Sequence, residues 1–255
     1  MASFRTSRTQ KSYHNPWIWI DLESTGIDPH SSEILEISLV VTDDNFEPWD
    51  TLHIVLHHPM SVLLAKSTPW CKRKFSDKCY GGNGLFNENH FSTTSHEDCE
   101  FLLWNFFEFY SSHPVGKGRP ERKTRMFFDK TSGSNGEGLR NHDISSTPYA
   151  SRYNHKSILL AGSTVHFDRE FLMVHFPCLR RFLNHKVIDV ATFLETSKRF
   201  KPELLADKPV PSSTHRAQQD ILDSIKLYKY FKEKLFDEKE ATFPEKDEPR
   251  PHEEF

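Results

Sequence analysis

Two acidic residues stand two positions apart at the end of the first apolar segment of the chain. Asp21 and Glu23 follow Trp17–Ile20, whose β-branched and aromatic residues favour a strand buried on both faces. Residues i and i+2 of an extended chain face the same side, so both carboxylates are expected to point into one site. Because unpaired buried charge is expensive, something positive must neutralise them there. For this pair alone, a solvent-exposed strand end is the alternative.

A third acid follows a second buried segment. Lys156–Ala161 is predicted to be a strand, Gly162 is predicted to break it, and a helix is predicted over His166–Phe176. Asp168 lies in the first turn of that helix, just beyond the predicted strand. Stabilisation of the helix N-terminus by a negative side chain is the structural alternative for this acid.

A histidine and a fourth acid complete a set that has one chemistry in common. His215 is expected in a loop, and Asp220 in the first turn of a helix over Arg216–Lys234. Four carboxylates at the ends of adjacent elements can hold two hard divalent ions, because oxygen ligands suit Mg²⁺ or Mn²⁺. Two such ions about 3.5–4 Å apart stabilise the attacking and leaving oxygens of a phosphoryl displacement. A neighbouring histidine can take the proton from the attacking water.

The remaining pattern predicts the elements that must position these residues. Further strands are predicted over Glu33–Thr42, Thr51–Leu56 and Val187–Val190. Further helices are predicted over Glu97–Tyr110, after an N-cap at Ser95, and from the last strand to Phe200. Three strands in sequence, followed by alternating helices and strands, indicate an α/β domain with a mixed sheet.

Three segments differ in composition from the rest of the chain. Residues 1–15 contain arginine, lysine and serine but no acid, which favours a disordered lead, with a weak mitochondrial targeting segment as the alternative. Residues 111–155 carry eight basic and four acidic residues and are predicted to be a mobile basic insertion, either a solvated loop or a nucleic-acid-binding arm. Residues 237–255 are predicted to be an acidic disordered tail. The ordered domain is therefore expected over residues 16–236.

The composition limits the class of protein. The chain has 255 residues, of which 36% are hydrophobic, and a net charge of -3. No run approaches the roughly 18 consecutive apolar residues of a membrane span, which excludes an integral membrane protein. The cysteines form no Cys-x-x-Cys pair, which fits a reducing compartment. A zinc site is the alternative reading of these thiols, and it would use Cys71, Cys79, His96 and Cys99.

Three motifs in the chain resemble those of the DEDDh exonuclease superfamily. They are Asp21-Leu-Glu-Ser-Thr-Gly-Ile-Asp28, Gly162 through Asp168-Arg-Glu-Phe-Leu172, and His215-Arg-Ala-Gln-Gln-Asp220-Ile221. More narrowly, the chain is similar to the oligoribonuclease family, because Trp70-Cys71 precedes Gly84-Leu85 and Val187-Ile188-Asp189-Val190 precedes a helix. The resemblance extends over residues 16–235 apart from the insertion.

The resemblance implies a fold, a reaction and an assembly. The fold is α/β, a ribonuclease H-like mixed sheet flanked by helices, usually in a homodimer. The reaction is removal of nucleotides from the 3′ end of short single-stranded RNA with two divalent metal ions. Carried over by motif, the metal-binding residues are Asp21, Glu23, Asp168 and Asp220. His215 is implied to be the general base.

The resemblance also implies residues that contact the substrate. Ile27 stands where the family places an apolar wedge against the bases, and Trp70 stands at its base-stacking aromatic residue. Thr164 keeps the hydroxyl that is expected to bind the terminal phosphate. His185 and Lys186 occupy the place of a Tyr-Arg pair, so a charge is kept but bidentate phosphate recognition is lost.

Several residues depart from the family pattern. The second motif reads Gly162-Ser163-Thr164 instead of Gly-Asn-Ser, Ala191 replaces a serine, and Phe75 falls near a usual histidine. Together with His185-Lys186, these departures fall on the pocket that closes over the 5′ phosphate of a short substrate. The residues of the cleavage centre are unchanged.

One principal hypothesis and two alternatives follow. The principal hypothesis is a metal-dependent 3′-to-5′ exoribonuclease that degrades short RNA to mononucleotides. The first alternative is a broader exonuclease of the same superfamily, active on longer RNA or on DNA, which the departures and the basic insertion favour. The second is an RNA-binding module with a decayed site, against which the complete catalytic set argues. The expected compartment is the cytoplasm, with the mitochondrion as the alternative.

Overall fold

The computed structural model describes residues 16–112 and 157–236 of the chain. The predicted lead over residues 1–15 and the predicted tail over 237–255 lie outside the described residues. The predicted insertion over 111–155 does so as well, except for its first two residues, which form the end of a helix.

A five-stranded mixed sheet forms the centre of the described chain. Its strands are β1 (Trp17–Ser24), β2 (Ile34–Thr42), β3 (Pro48–Val55), β4 (Ile158–Gly162) and β5 (Leu183–Asp189). Their order across the sheet is β3-β2-β1-β4-β5. The first three strands are antiparallel neighbours, whereas β4 lies parallel to β1 and β5 lies parallel to β4. The prediction of a mixed α/β sheet is confirmed.

Helices flank this sheet on both faces. They are α1 (Met60–Lys66), α2 (Pro69–Phe75), α3 (Leu85–Phe91), α4 (His96–Ser112), α5 (Val165–His175), α6 (Val190–Phe200) and α7 (Ala217–Leu235). The sequence pattern predicted α4 to α7 but missed the three short helices before them. None of the helices in the described part of the chain is long and apolar enough to cross a membrane.

Alternate side chains of β1 pack on opposite faces of the sheet. Ile20 belongs to a core formed with α4 and α5, whereas Trp19 belongs to a second core that includes Ile221 of α7. Because side chains alternate along a strand, Asp21 and Glu23 lie on the same face as Trp19 and point toward α7.

Trp19 fixes the strand that carries these two acids. Its side chain is fully buried, and its Nε1 donates a hydrogen bond to Thr42 Oγ1 of β2 at 3.0 Å. Its ring contacts Phe46 and Tyr228 edge-on, with centroid distances of 6.2 and 5.7 Å. Aromatic pairs in this arrangement stabilise a core beyond the area that they bury. The acids therefore extend from a rigid part of the sheet.

The fourth strand ends at Gly162, which is its last residue and lies one position beyond the predicted end at Ala161. A Cβ at this position would lie 2.7 Å from the Ile20 carbonyl oxygen and 3.2 Å from Val165 Cβ. The absence of a side chain therefore lets β4 lie close to β1 just before Asp21.

We expect Gly162→Ala to destabilise the protein, because the added methyl group forces β4 away from the backbone of β1. Overpacking of this kind costs about 1–3 kcal/mol of unfolding free energy. Chemical denaturation measures the loss, with Ser163→Ala, at the partly exposed neighbouring position, as the control. Equal stability of the two variants would contradict the close approach.

Candidate active site

Four acids and a histidine from different elements converge at the end of β1. Asp168 of α5 accepts a hydrogen bond from the Leu22 backbone N–H at 2.8 Å, between the two acids of the strand. The ligand atoms of Glu23, His215 and Asp220 all lie within 4.8 Å of one another. The carboxylate of Asp21 interacts electrostatically with the other three acids, Glu23, Asp168 and Asp220. The structure thus brings together the residues that the motifs predicted to bind metal.

Burial and mutual repulsion make these carboxyl groups weak acids. The pKa of Asp21 is raised well above its usual value by burial and by the charge of Asp168, and burial also raises the pKa of Asp168. Burial, followed by repulsion from Asp220, raises the pKa of Glu23 to about 8. Burial, followed by repulsion from Asp223, raises the pKa of Asp220 to about 6. The fold therefore holds the four acids close together although their negative charges repel one another.

The donor set suits a hard divalent cation. Carboxylate oxygens are the ligands that Mg²⁺ and Mn²⁺ prefer, and a nearby dication would offset the repulsion that raises these pKa values. The cysteine-based zinc alternative has no such support. Cys71 and Cys99 are buried in separate cores, and the group of side chains in residues 16–112 and 157–236 whose geometry could hold a metal ion contains no cysteine.

His215 lies beside the acids in a strained loop. Its φ angle is 52°, in the left-handed region that residues with a Cβ rarely adopt. Burial, together with the charge of Lys74, lowers the pKa of His215 below its usual value. The imidazole is therefore neutral near neutral pH, so that a ring nitrogen can accept a proton.

Hydrogen bonds from the α2–α3 region hold the loop in this conformation. Asn83 Nδ2 donates to the carbonyl oxygens of His215, at 2.7 Å, and of Thr214, at 3.1 Å. Lys74 Nζ donates to the carbonyl oxygen of Ser213 at 2.9 Å, and Ser213 also has a positive φ angle, of 57°. Two strained residues in one short loop persist only where the surroundings stabilise them.

A buried ion pair fixes the next residue of the chain. Glu36 of β2 is 1% exposed and stands opposite Glu23 in the register of the sheet. The Arg216 guanidinium bridges Glu36, at 2.9 Å, and Glu88 of α3, at 2.6 Å. Although burial opposes it, hydrogen bonds from His53 and Arg216 lower the pKa of Glu36 overall. Arg216 therefore anchors the start of α7 beside His215.

The predicted substrate-contacting residues do not all lie at one place in the structure. Trp70 is 47% exposed, and its ring lies edge-on to His215 with the centroids 5.1 Å apart. Ile27, which follows β1, is 85% exposed and therefore free to contact a ligand. Thr164, His166 and Asp189 line an open cavity of about 420 Å³ together with residues of α6. His185 and Lys186 are exposed on β5 and are not among the residues that line that cavity.

Sequence reasoning missed the residues that support the site. Glu36 was visible as an acid inside a predicted strand rich in apolar residues, which is a signal for a buried ion pair. Asn83 and Glu88 gave no such signal, because their roles arise only when α3 packs beside a loop more than 120 residues later in the chain.

The fold class can now be stated: the sheet and its helices form a ribonuclease H-like α/β fold. Solved structures of exonuclease I share it, from Methylocaldum szegediense (TM-score 0.52, 14% identity) and from E. coli in a zinc-bound complex with single-stranded DNA (TM-score 0.54, 13% identity). Each comparison covers 87% of this chain but 41% of the exonuclease I chain. The chain therefore spans about two fifths of the length of these structural relatives.

Relatives that the chain matches over most of their length are oligoribonucleases. The oligoribonuclease of Chromobacterium violaceum is 28% identical over 219 residues, which cover 86% of this chain and 94% of the relative. A probable oligoribonuclease of Drosophila melanogaster is 26% identical over 220 residues, covering 86% and 82% of the two chains. No protein-family model matches the sequence. The resemblance to oligoribonucleases that the sequence indicated is confirmed.

We expect Asp21→Asn to stabilise the metal-free protein at neutral pH. The pKa of Asp21 in the folded state is raised above its unfolded value, so the stability of the metal-free protein falls as the pH rises and this group ionises. Removing the charge should raise Tm by about 2–4 °C for each kcal/mol gained. Thermal denaturation in EDTA measures the effect, which should shrink at acidic pH. Asp207→Asn, at an exposed loop position, is the control. If Asp21→Asn were less stable than the wild type in EDTA, the repulsion among the acids would be refuted.

We expect Arg216→Lys to lower stability and turnover together. A lysine ammonium cannot reproduce the planar contacts to Glu36 and Glu88, so the buried carboxylate loses compensation worth about 1–3 kcal/mol. Displacement of the adjoining His215 should reduce kcat by about 10- to 100-fold with little change in KM. Denaturation and steady-state kinetics measure both effects. Glu88→Gln keeps a hydrogen bond at a more exposed position and should lose less stability and less turnover. If Arg216→Lys had the same kinetics as the wild type, the anchoring role of Arg216 would be excluded.

Proposed function

We propose that the chain is a 3′-to-5′ exoribonuclease that hydrolyses short single-stranded RNA oligonucleotides to mononucleotides. One observation carries the proposal: the four acids and the histidine of the motifs converge at one end of β1. These residues are spread over two hundred positions of the sequence, and bringing their negative charges together is electrostatically unfavourable. Such an arrangement indicates a functional site. The likeness to oligoribonucleases supports the same reaction.

Asp21, Glu23, Asp168 and Asp220 would hold two divalent metal ions, Mg²⁺ or Mn²⁺. Bound ions of this kind stabilise the charge on the attacking and leaving oxygens of a phosphodiester. The chain itself prepares the site: the Leu22 backbone N–H orients Asp168, and β1 presents its two acids from a rigid core. Arg216 is engaged by Glu36 and Glu88, and its charge offsets only part of the effect that raises the pKa of Glu23.

His215 would act as the general base. Its lowered pKa keeps the imidazole neutral, so a ring nitrogen can take the proton from the attacking water. Trp70, which contacts the imidazole ring, would stack on a base of the 3′ end, and Ile27 would pack against another. Stacking on an aromatic ring accepts every base, as a non-specific exonuclease requires.

The direct test incubates the purified protein with 5′-labelled RNAs of two to seven nucleotides, with Mn²⁺ and with EDTA. We expect products shortened from the 3′ end only when the metal is present. Asp168→Asn keeps an oxygen to accept the Leu22 hydrogen bond but loses the charge, so turnover should fall by more than about 100-fold. Asp207→Asn is the matched control. The proposal fails if no shortened products form, or if Asp168→Asn retains full activity.

A broader exonuclease, active on longer RNA or on DNA, is the second candidate. The observation that favours it is the position of His185 and Lys186, which lie outside the cavity beside Thr164. Rates on a dinucleotide and on a twenty-nucleotide strand separate the two candidates. A strong preference for the dinucleotide would exclude the broader enzyme.

We also propose that the enzyme is a homodimer, as the resemblance to oligoribonucleases implies. Three exposed apolar side chains support a further contact surface: Phe200 at the end of α6, Val210 in the loop before α7 and Phe236 just after α7. Light scattering of the purified protein should give twice the chain mass of 29.9 kDa. A mass equal to that of one chain over the full concentration range would overturn the dimer.

A further inference from the structure

The segment that follows Trp70 exposes basic and aromatic side chains beside the proposed cleavage centre. Arg73 lies one helical turn after Trp70 on α2, and both side chains are exposed. Lys78 and Tyr80 belong to the short 3-10 turn Lys78–Tyr80, and both are exposed, Tyr80 to 83%. We call the four residues Trp70, Arg73, Lys78 and Tyr80 the α2 surface.

Hydrogen bonds join the α2 surface rigidly to the catalytic loop. Asn83 bonds the carbonyl oxygen of His215 at 2.7 Å, and its own backbone N–H donates to the carbonyl oxygen of Lys74 at 2.8 Å. The Gly84 N–H donates to the carbonyl oxygen of Ser76 at 2.8 Å, which closes the turn. The segment that contains the turn with Tyr80 is therefore joined to the His215 loop through Asn83.

The charge of this segment is positive and largely unneutralised. Residues 69–80 contain four basic side chains, Lys72, Arg73, Lys74 and Lys78, against the single acid Asp77. Asp77 accepts hydrogen bonds from the Cys79 backbone N–H and from Asn87. Within residues 16–112 and 157–236, no ion pair is formed by Arg73 or Lys78. Both cations are therefore available to a ligand.

The cavity on the α6 side carries charges of both signs. Asp189, Glu195 and Arg199 line it, and Glu195 is paired with Lys198 at 2.5 Å. The α2 surface, in contrast, combines unpaired cations with two exposed aromatic rings. Such a combination is the pattern of single-stranded nucleic-acid binding.

We propose that the α2 surface binds the phosphates and bases of a single-stranded nucleic acid beyond the nucleotides that occupy the cleavage centre. This inference rests on the proposed function and deepens it, because it makes longer strands substrates of the same site. Arg73 and Lys78 contact phosphates, and Tyr80 provides a second stacking platform after Trp70. The strand thereby passes along α2 on its way to the metal-binding acids.

The test compares three proteins: wild type, Arg73→Gln/Lys78→Gln and Tyr80→Ala. Fluorescence anisotropy with a labelled twenty-nucleotide RNA in EDTA measures binding without turnover, over a series of salt concentrations. Removing two phosphate contacts should lower the slope of log K against log salt by about 1.4. Removing the ring of Tyr80 should weaken binding by about 5-fold or more. In Mn²⁺, KM should rise for the twenty-nucleotide RNA, and kcat/KM for a dinucleotide should stay unchanged.

Arg180→Gln is the matched control, since Arg180 is exposed at the opposite end of the parallel strands and forms no ion pair among the described residues. Affinity and salt slope equal to those of this control would overturn the α2 surface, while cleavage of the dinucleotide by the same samples would leave the proposed function intact. Absence of cleavage by the wild type would refute the proposed function, and the anisotropy data would still decide the binding surface.

Discussion

The site depends on a balance of charge on one face of the sheet. Register places Glu23 of β1 directly opposite Glu36 of β2, and Asp21 interacts with both as well as with acids from α5 and α7. Like charges in a partly buried site are expensive unless they are paired or hydrogen-bonded. Arg216 and the Ala217 backbone N–H, which donates to Glu36 at 3.0 Å, neutralise Glu36, whereas the pKa values of Asp21 and Glu23 stay raised.

This pairing gives Glu36 a structural role and separates it from the acids of the candidate site. Glu36 has a lowered pKa because His53 and Arg216 donate to it, whereas its cross-strand neighbour Glu23 has a pKa raised to about 8. The difference arises from hydrogen-bond partners, since both side chains share one face of the sheet. The structural acid orients the start of α7, and the other acids remain available to the divalent cation that the proposed function requires. Keeping these acids together lowers the stability of the fold, as functional sites commonly do.

The sequence predicted the direction of Asp21 and Glu23 because alternation along a strand follows from backbone geometry. The same kind of pattern predicted that Asp168 lies in the first turn of a helix, and the motifs implied that it meets the two acids of the strand. The conformation of His215 was beyond such reasoning, since its φ angle of 52° depends on Asn83, which lies 132 residues earlier in the chain. For Gly162 the sequence predicted the end of a strand but not the close approach of β4 to β1, because only the neighbouring backbone shows that second role.

The acids of the candidate site and the exposed surfaces around them belong to different parts of this fold. The acids come from β1, α5 and α7, whereas the surfaces beside them are α2 with its following turn, and α6 with its cavity. Asn83 links the two parts through the backbone of the His215 loop, because it bonds carbonyl oxygens of that loop. Under the proposed function, substitutions on the outer surfaces would therefore change which strands are accepted while the acids stay in place. A chain with the acids and the histidine of the oligoribonuclease-like motifs would for that reason be able to differ from oligoribonucleases in substrate length.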